Sequence, residues 1–228
     1  MTSSGGYLKF FSMSGLPGRW WKPVAVALLL LALPIPSMAS RAVSAQPANG
    51  AKVYMLRGVL NIFSLGLDSI ASQLEAQGIP VDVTNYLGWS VVADEVAADY
   101  RSGKVKTVIL VGHSSGATVL PDMVDRLNQL GVPVRLVIGL DSVFRTSLNG
   151  RVGRYINYYI GNGNGEPVAR ARGMHGELDN VNVQNVPGVG HITIDKNAIM
   201  QRKVIVDIDS VVFGGRAREV SAAPRVVH

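Results

Sequence analysis

Cysteine is absent from the 228 residues. No disulfide can staple the fold, no thiolate can serve as a nucleophile, and a cysteine-held zinc is excluded. Histidine is scarce: any chemistry that needs an imidazole must choose among His113, His175, His191 and His228. Acidic residues are missing from the first 39 positions, whose charges are Lys9, Arg19 and Lys22. A long apolar run is missing there as well, because Val24–Leu33 spans ten residues before Pro34-Ile35-Pro36, about half of what a helix needs to cross roughly 30 Å of hydrocarbon.

A basic region, a short apolar run and small residues after it form the pattern of a secretory signal peptide. The sequence therefore predicts a signal peptide over residues 1–39, cut after Ser37-Met38-Ala39, with Val43-Ser44-Ala45 as a second candidate site. Met13 offers an alternative start of more usual length, and no Arg-Arg pair precedes the run, which favours export in the unfolded state. The mature chain is expected in the periplasm or the medium, without a stable membrane span. Removing residues 1–39 changes 22 Lys and Arg against 16 Asp and Glu into 19 against 16. Arg216, Arg218 and Arg225 against Glu219 put most of the remaining excess in the last residues. The body is close to neutral, which argues against nucleic-acid binding, since that calls for a clustered basic face.

Residues 40–50 read as a linker, 51–213 as one domain with room for a single core, and 214–228 as a disordered tail. Within the domain, short apolar runs alternate with helical patterns, the mark of parallel strands joined by crossover helices. Strands are expected at Lys52–Arg57, Pro80–Thr84, Lys106–Val111, Val134–Ile138, Arg154–Ile160 and Val181–Val186. Helices are expected where Leu67, Ile70, Ala71 and Leu74 share a face, from a Ser90 cap through Val92, Val96 and Tyr100, along Leu120, Val124, Leu127 and Leu130, and over Ile199–Val212. The fold class is α/β: three layers, a mostly parallel sheet with helices on both faces, and no segment long enough for a lid domain. Gly161-Asn162-Gly163-Asn164-Gly165 is expected to turn, because Gly and Asn tolerate positive φ.

The segment Gly112-His113-Ser114-Ser115-Gly116 follows the run Val108–Val111 and opens a helical pattern. That is the setting of a nucleophile elbow, a turn so tight that larger residues at the glycine positions would collide. A serine hydroxyl is a poor nucleophile near neutral pH and needs a base within hydrogen-bond reach and an acid to orient that base. His113 should turn away from Ser114 and pack near the sheet edge, and His228 ends the tail, so His191 and His175 remain as bases. Asp141, just after a strand, is the first candidate acid. Glu166 is its rival, Asp179 is weaker, Ser142 could cap the next loop instead, and Asp195 reads as the cap of the closing helix.

Strand, GHSSG elbow, helix, strand-Asp and a late Gly-rich loop with His together resemble the α/β-hydrolase superfamily, in its small lipase-like and thioesterase-like branch, over about residues 51–212. The resemblance implies the order nucleophile, acid, base, which Ser114, Asp141 and His191 follow, with His191 preferred for its place after the last strand. It also implies an oxyanion hole made by the N–H of Ser115 and a second N–H from the loop after the first strand, that of Val59 or Leu60, with Asn61 able to assist. Arg57-Gly58 stands where many members have His-Gly, and Pro121 should kink the elbow helix. Leu140, Val143, Phe144, Val189 and Leu60 are candidates to line an open site. The implied activity is hydrolysis of a small carboxylic ester or lipid without a cofactor. A thioesterase or amidase, or a catalytically silent binding module on the same fold, stand as alternatives. The oligomeric state is not legible. If the amino-terminal reading is right, the exported protein starts at Ser40, which sequencing of its first residues would test; a start at Met1 or Met13 would overturn it.

Overall fold

Apolar residues on both faces of the first strand set the architecture. In β1 (Ala51–Arg57), Val53 and Met55 enter one buried cluster, and Tyr54 and Leu56 enter another. A strand buried on both sides needs helices above and below it. The computed structural model describes residues 50–59, 61, 64–163 and 165–214. The expected signal peptide, nearly all of the linker and tail, His228 and Leu60 lie outside the described residues.

After β1 come α1 (Gly66–Glu75), β2 (Val81–Asn85), α2 (Trp89–Arg101), β3 (Thr107–His113), the four-residue α3 (Ser115–Thr118) and α4 (Leu120–Gln129). They are followed by β4 (Val134–Leu140), β5 (Ser147–Leu148), β6 (Arg151–Tyr159), β7 (Ala169–Arg170), β8 (His175–Asn182) and α5 (Ala198–Val212). Six strands form one sheet in the order β2-β1-β3-β4-β6-β8, with every pairing parallel, while β5 and β7 pair separately. Leu67, Ile70 and Leu74 of α1 join Met200, Val204 and Ile208 of α5 on one face. Val92 and Val96 of α2 join Met123, Val124 and Leu127 of α4 on the other. The three-layer α/β arrangement expected from the sequence is present, and no lid domain is inserted into the described chain.

The expected elements differ from the observed ones in four places. The last strand is β8, which starts six residues and ends four residues before the expected Val181–Val186. It is an edge strand with mostly exposed, polar residues, so it carries no apolar alternation to reveal it. Ser90 does not cap α2. Asn85 accepts the N–H of Leu87 and starts a 3-10 turn over Tyr86–Gly88 that runs straight into Trp89. The elbow helix is not kinked but divided at Val119, and Pro121 falls in the first turn of α4, where its missing N–H costs nothing. Asp195 does not cap α5; Asn197 does, by accepting from the N–H groups of Ile199 and Met200. Asp195 is instead fully buried and accepts the N–H of Gly66 at 2.8 Å.

The register levels the carboxyl ends of the central strands. Leu56 lies opposite Gly112, Gly112 opposite Gly139, and His113 opposite Leu140. Ser114 and Asp141, each one residue further on, therefore leave the sheet side by side. The close approach of α3 to β1 requires Gly116, because a Cβ there would sit 2.0 Å from the carbonyl oxygen of Leu56. Gly116→Ala should cost about 1–3 kcal/mol by overpacking, a fall in Tm of roughly 2–4 °C per kcal/mol for a domain of this size. Gly88→Ala, with nothing within 4 Å of the added methyl, should leave the thermal midpoint unchanged by circular dichroism.

Candidate active site

The site is assembled where β3 and β4 end. Ser114 takes φ 60° and ψ −124°, a backbone conformation that costs a non-glycine residue on the order of 1–3 kcal/mol. Its N–H donates to the carbonyl of Leu140 at 3.0 Å, and its carbonyl accepts the N–H of Thr118 at 3.0 Å. A Cβ on Gly112 would lie 2.5 Å from the Gly116 carbonyl, so the turn closes as tightly as the sequence requires. Asp141 also has a positive φ, 49°, and its N–H donates to the carbonyl of Tyr158 at 2.8 Å.

The loop after β8 brings His191 to these two residues. Thr193 folds that loop on itself, accepting the N–H of Gly190 at 2.9 Å and donating its hydroxyl to the carbonyl of Gly188 at 2.8 Å. Ser114 Oγ lies 3.0 Å from His191 Nε2, and His191 Nδ1 lies 2.6 Å from Asp141 Oδ2. The Asp141 carboxyl is fully buried, and its other oxygen accepts the N–H of Ile160 at 2.9 Å. Both carboxyl oxygens are thus satisfied, and the histidine presents Nε2 to the serine with Nδ1 held by the acid.

The other candidates lie apart from this group. His175 is the exposed first residue of β8, paired with Arg151 at the amino end of the strands, the end of the sheet away from Ser114. Glu166 binds Arg145 at 2.5 Å, and Asp179 binds Arg154 at 2.6 Å. Ser142 does not cap the following loop through an N–H: its hydroxyl donates to the carbonyl of Phe144 and meets Thr118 Oγ1. Asn61 takes φ 59° and accepts from the side chain of Asn85 at 2.8 Å, which ties its loop to the end of β2. Gly161 and Gly163 turn the chain as expected, without a positive φ. At Gly165 space decides, since a Cβ there would stand 1.9 Å from Asp141 Oδ1.

A cavity of about 660 Å³ opens over Ser114. Ser114, Ser115, His113 and His191 face it beside Gly58, Val59 and Ser64, and its walls are mostly apolar. Val143 and Phe144 line it as expected, whereas Leu140 and Val189 pack into the core beneath the sheet. Tyr86 of the 3-10 turn, Val119 at the junction of α3 and α4, and Ile192 of the loop after β8 line it too, at positions that no periodicity in the sequence marks. Of the lining residues, Phe144, Ile192 and Val59 are 69 %, 55 % and 46 % exposed. Gly58 lies directly against the serine, where a Cβ would be 2.8 Å from Ser114 Cβ. Among the described residues, no three His, Cys, Asp or Glu side chains converge as metal ligands would, and no helix is long and apolar enough to cross a membrane.

His113 does more than pack at the end of its strand. It is buried, and its ring nitrogens lie 2.8 Å from Ser64 Oγ and 2.8 Å from the carbonyl oxygen of His191. Burial holds its pKa below the ordinary 6.5, against the opposite pull of Asp195. The signal was in the motif itself, but the bond partners come from residues 49 and 78 positions away.

A parallel sheet flanked by helices on both faces, a serine on a strained strand-to-helix turn, and a Ser-His-Asp arrangement in that chain order define an α/β-hydrolase-like protein with the groups of a serine hydrolase. No family model matches the chain, and no curated protein matches it. Among solved structures it is similar to the thioesterase domain SrfTE, described as cyclising the lipopeptide antibiotic surfactin. That pair has a TM-score of 0.48 and 10 % identity, covering 71 % of this chain and 90 % of the other. It is also similar to RedJ with a PEG molecule bound in the active site, with a TM-score of 0.43 and 11 % identity over 74 % and 96 % of the two chains. At such identities the likeness concerns the fold alone.

The lowered pKa of His113 makes stability depend on pH in a definite direction. Below about 6.5 the unfolded chain binds a proton at this residue that the folded protein refuses, so stability falls as pH drops from there toward the folded pKa. In His113→Gln, the decrease in Tm between about pH 7 and pH 5 should be shallower than in the wild type. Equal slopes would show that His113 takes no part in the acid sensitivity.

Proposed function

We propose that this chain is a serine hydrolase that cleaves carboxylic esters with an apolar acyl group, through an acyl-enzyme on Ser114. The observation that carries the reading is the unbroken contact from Ser114 Oγ to His191 Nε2 at 3.0 Å and from His191 Nδ1 to Asp141 at 2.6 Å, set in a mostly apolar cavity. Ser114 Oγ attacks the ester carbonyl as its proton passes to His191 Nε2. Asp141 keeps the other ring nitrogen oriented and stabilises the imidazolium. The tetrahedral intermediate collapses, the C–O bond to the alcohol breaks, and His191 returns the proton to the departing oxygen. Water then gives a proton to the same nitrogen and attacks the acyl carbon, and the acid leaves as Ser114 regains its hydrogen.

The oxyanion needs N–H donors placed in advance. Ser115, first residue of α3, and Val59 supply them in this reading, supported by the contact of Gly58 with Ser114 and by the place of both residues on the cavity wall. Leu60, the other expected donor, lies outside the described residues. The apolar lining favours an acyl chain over a charged group, since polar or charged parts of a substrate would lose hydration there without replacement. Small esters and lipids fit this chemistry, and the steps call for no cofactor. Export, read from residues 1–39, belongs to the same proposal.

A fluorophosphonate probe should label the wild-type protein, and a short-chain nitrophenyl ester should be hydrolysed. Ser114→Ala and His191→Ala should abolish labelling and lower kcat by about a thousandfold or more, with Asp141→Asn losing on the order of a hundredfold or more. A folded wild type that neither labels nor turns over would overturn the proposal.

A further inference from the structure

For a neutral ring, the contacts around His113 fix its hydrogens. A backbone carbonyl only accepts, so the 2.8 Å contact with the oxygen of His191 requires a hydrogen on His113 Nε2. In a neutral ring Nδ1 is then bare and accepts, so the 2.8 Å contact with Ser64 must use the hydroxyl hydrogen of the serine. Ser64 Oγ is left to accept, and the N–H of Gly58 donates to it at 3.0 Å. The result is one directed chain: Gly58 N–H to Ser64, Ser64 O–H to His113, and His113 Nε2–H to the carbonyl of His191. Ser64 is fully buried and His113 is 1 % exposed, so water does not compete for these bonds. A protonated His113 would aim a second donor at Ser64 Oγ and leave the serine hydrogen without the acceptor it has now.

The two ends of this chain matter. Gly58 opens the loop that brings Val59 beside Ser114, and His191 is the base. Its ring is 28 % exposed, so burial alone does not fix it. It is held at Nδ1 by Asp141, at Nε2 by Ser114, and at its carbonyl by His113. Once Ser114 is acylated, its hydroxyl hydrogen is gone and the Nε2 anchor goes with it. The imidazole must then activate water while it rests on Asp141 and His113.

We propose that His113 is a positioning residue that joins the oxyanion loop to the backbone of the base and holds His191 in place through the acyl-enzyme stage. The proposal rests on the serine hydrolase reading above. It acts through His191 and the Gly58 loop, with no contact to the reacting atoms required of His113 itself. Its consequence is a selective one: removing His113 should slow deacylation more than acylation, because acylation still has the Ser114 contact to orient the ring.

Pre-steady-state hydrolysis of a nitrophenyl ester separates the two steps. His113→Leu should lower the deacylation rate about tenfold and acylation only two- to threefold, in line with the sensitivity of such steps to small misplacement, so that a burst of nitrophenol appears or grows. His113→Gln, which can still reach the carbonyl of His191 with an N–H, should recover most of the loss. Ser64→Ala should slow deacylation in the same sense, and it carries the test if His113→Leu does not fold. Nitrogen-15 NMR of the histidine-labelled wild type reads the hydrogens directly, independently of any activity. It should show Nε2 protonated and Nδ1 bare at His113 at neutral pH, with Asp195, His191 and Lys196 as the titratable neighbours acting on the ring. An Nδ1-protonated ring, or equal slowing of both steps in folded variants, would overturn the proposal. A wild type that a fluorophosphonate does not label would instead overturn the hydrolase reading, and the NMR assignment would still decide the bond chain.

Discussion

The N–H of Ser114 donates to the carbonyl of Leu140, and through that bond the end of β4 holds the elbow in a conformation that serine otherwise avoids. The arrangement works because β3 and β4 are parallel neighbours in level register. The carbonyl that restrains Ser114 belongs to the residue immediately before Asp141, so the nucleophile and the acid are placed by the same few atoms. Strain at the serine is therefore balanced against the pairing of two strands buried along nearly their whole length, whose apolar residues on both faces hold the register from Ile109 onward. The remaining member, His191, arrives on a loop and is fitted to this rigid pair.

The sequence made the core legible because its periodicities are those of burial. Residues such as Leu67, Ile70 and Leu74 repeat at helical spacing, and Val108–Val111 is a continuous apolar run before a turn, so the helices and central strands could be read within a few residues. The elbow was legible for a different reason: its glycines are demanded by backbone contacts that no other residue would fit. What stayed hidden was set by polar residues and by long-range bonds. β8 is a polar edge strand, and α2 starts from an Asn85 turn instead of Ser90. Asp195 serves the start of α1 while Asn197 caps α5. Ser64, His113 and His191 are joined across large sequence separations, and no local pattern can announce such a chain.

The glycine-rich loop illustrates how a correct sequence observation can have a different cause. Gly161 and Gly163 suggest turns with positive φ, and they turn without one. Gly165 is confined by the carboxyl of Asp141, and the N–H of Ile160 before the loop donates to the same carboxyl. The loop is part of the wall around the acid. It keeps that group dry and oriented by contact and hydrogen bonding, a supporting role of the kind that makes a constellation of side chains precise.

Val59, Phe144 and Ile192, exposed on the wall of the cavity, give the mouth of the site an apolar, poorly hydrated surface. Each of these three residues is at once exposed and part of the cavity wall, so apolar surface reaches from the outside of the molecule to the chamber over Ser114. For a chain of methylenes leaving water, burial would begin at that threshold, before the reacting end arrives at the serine.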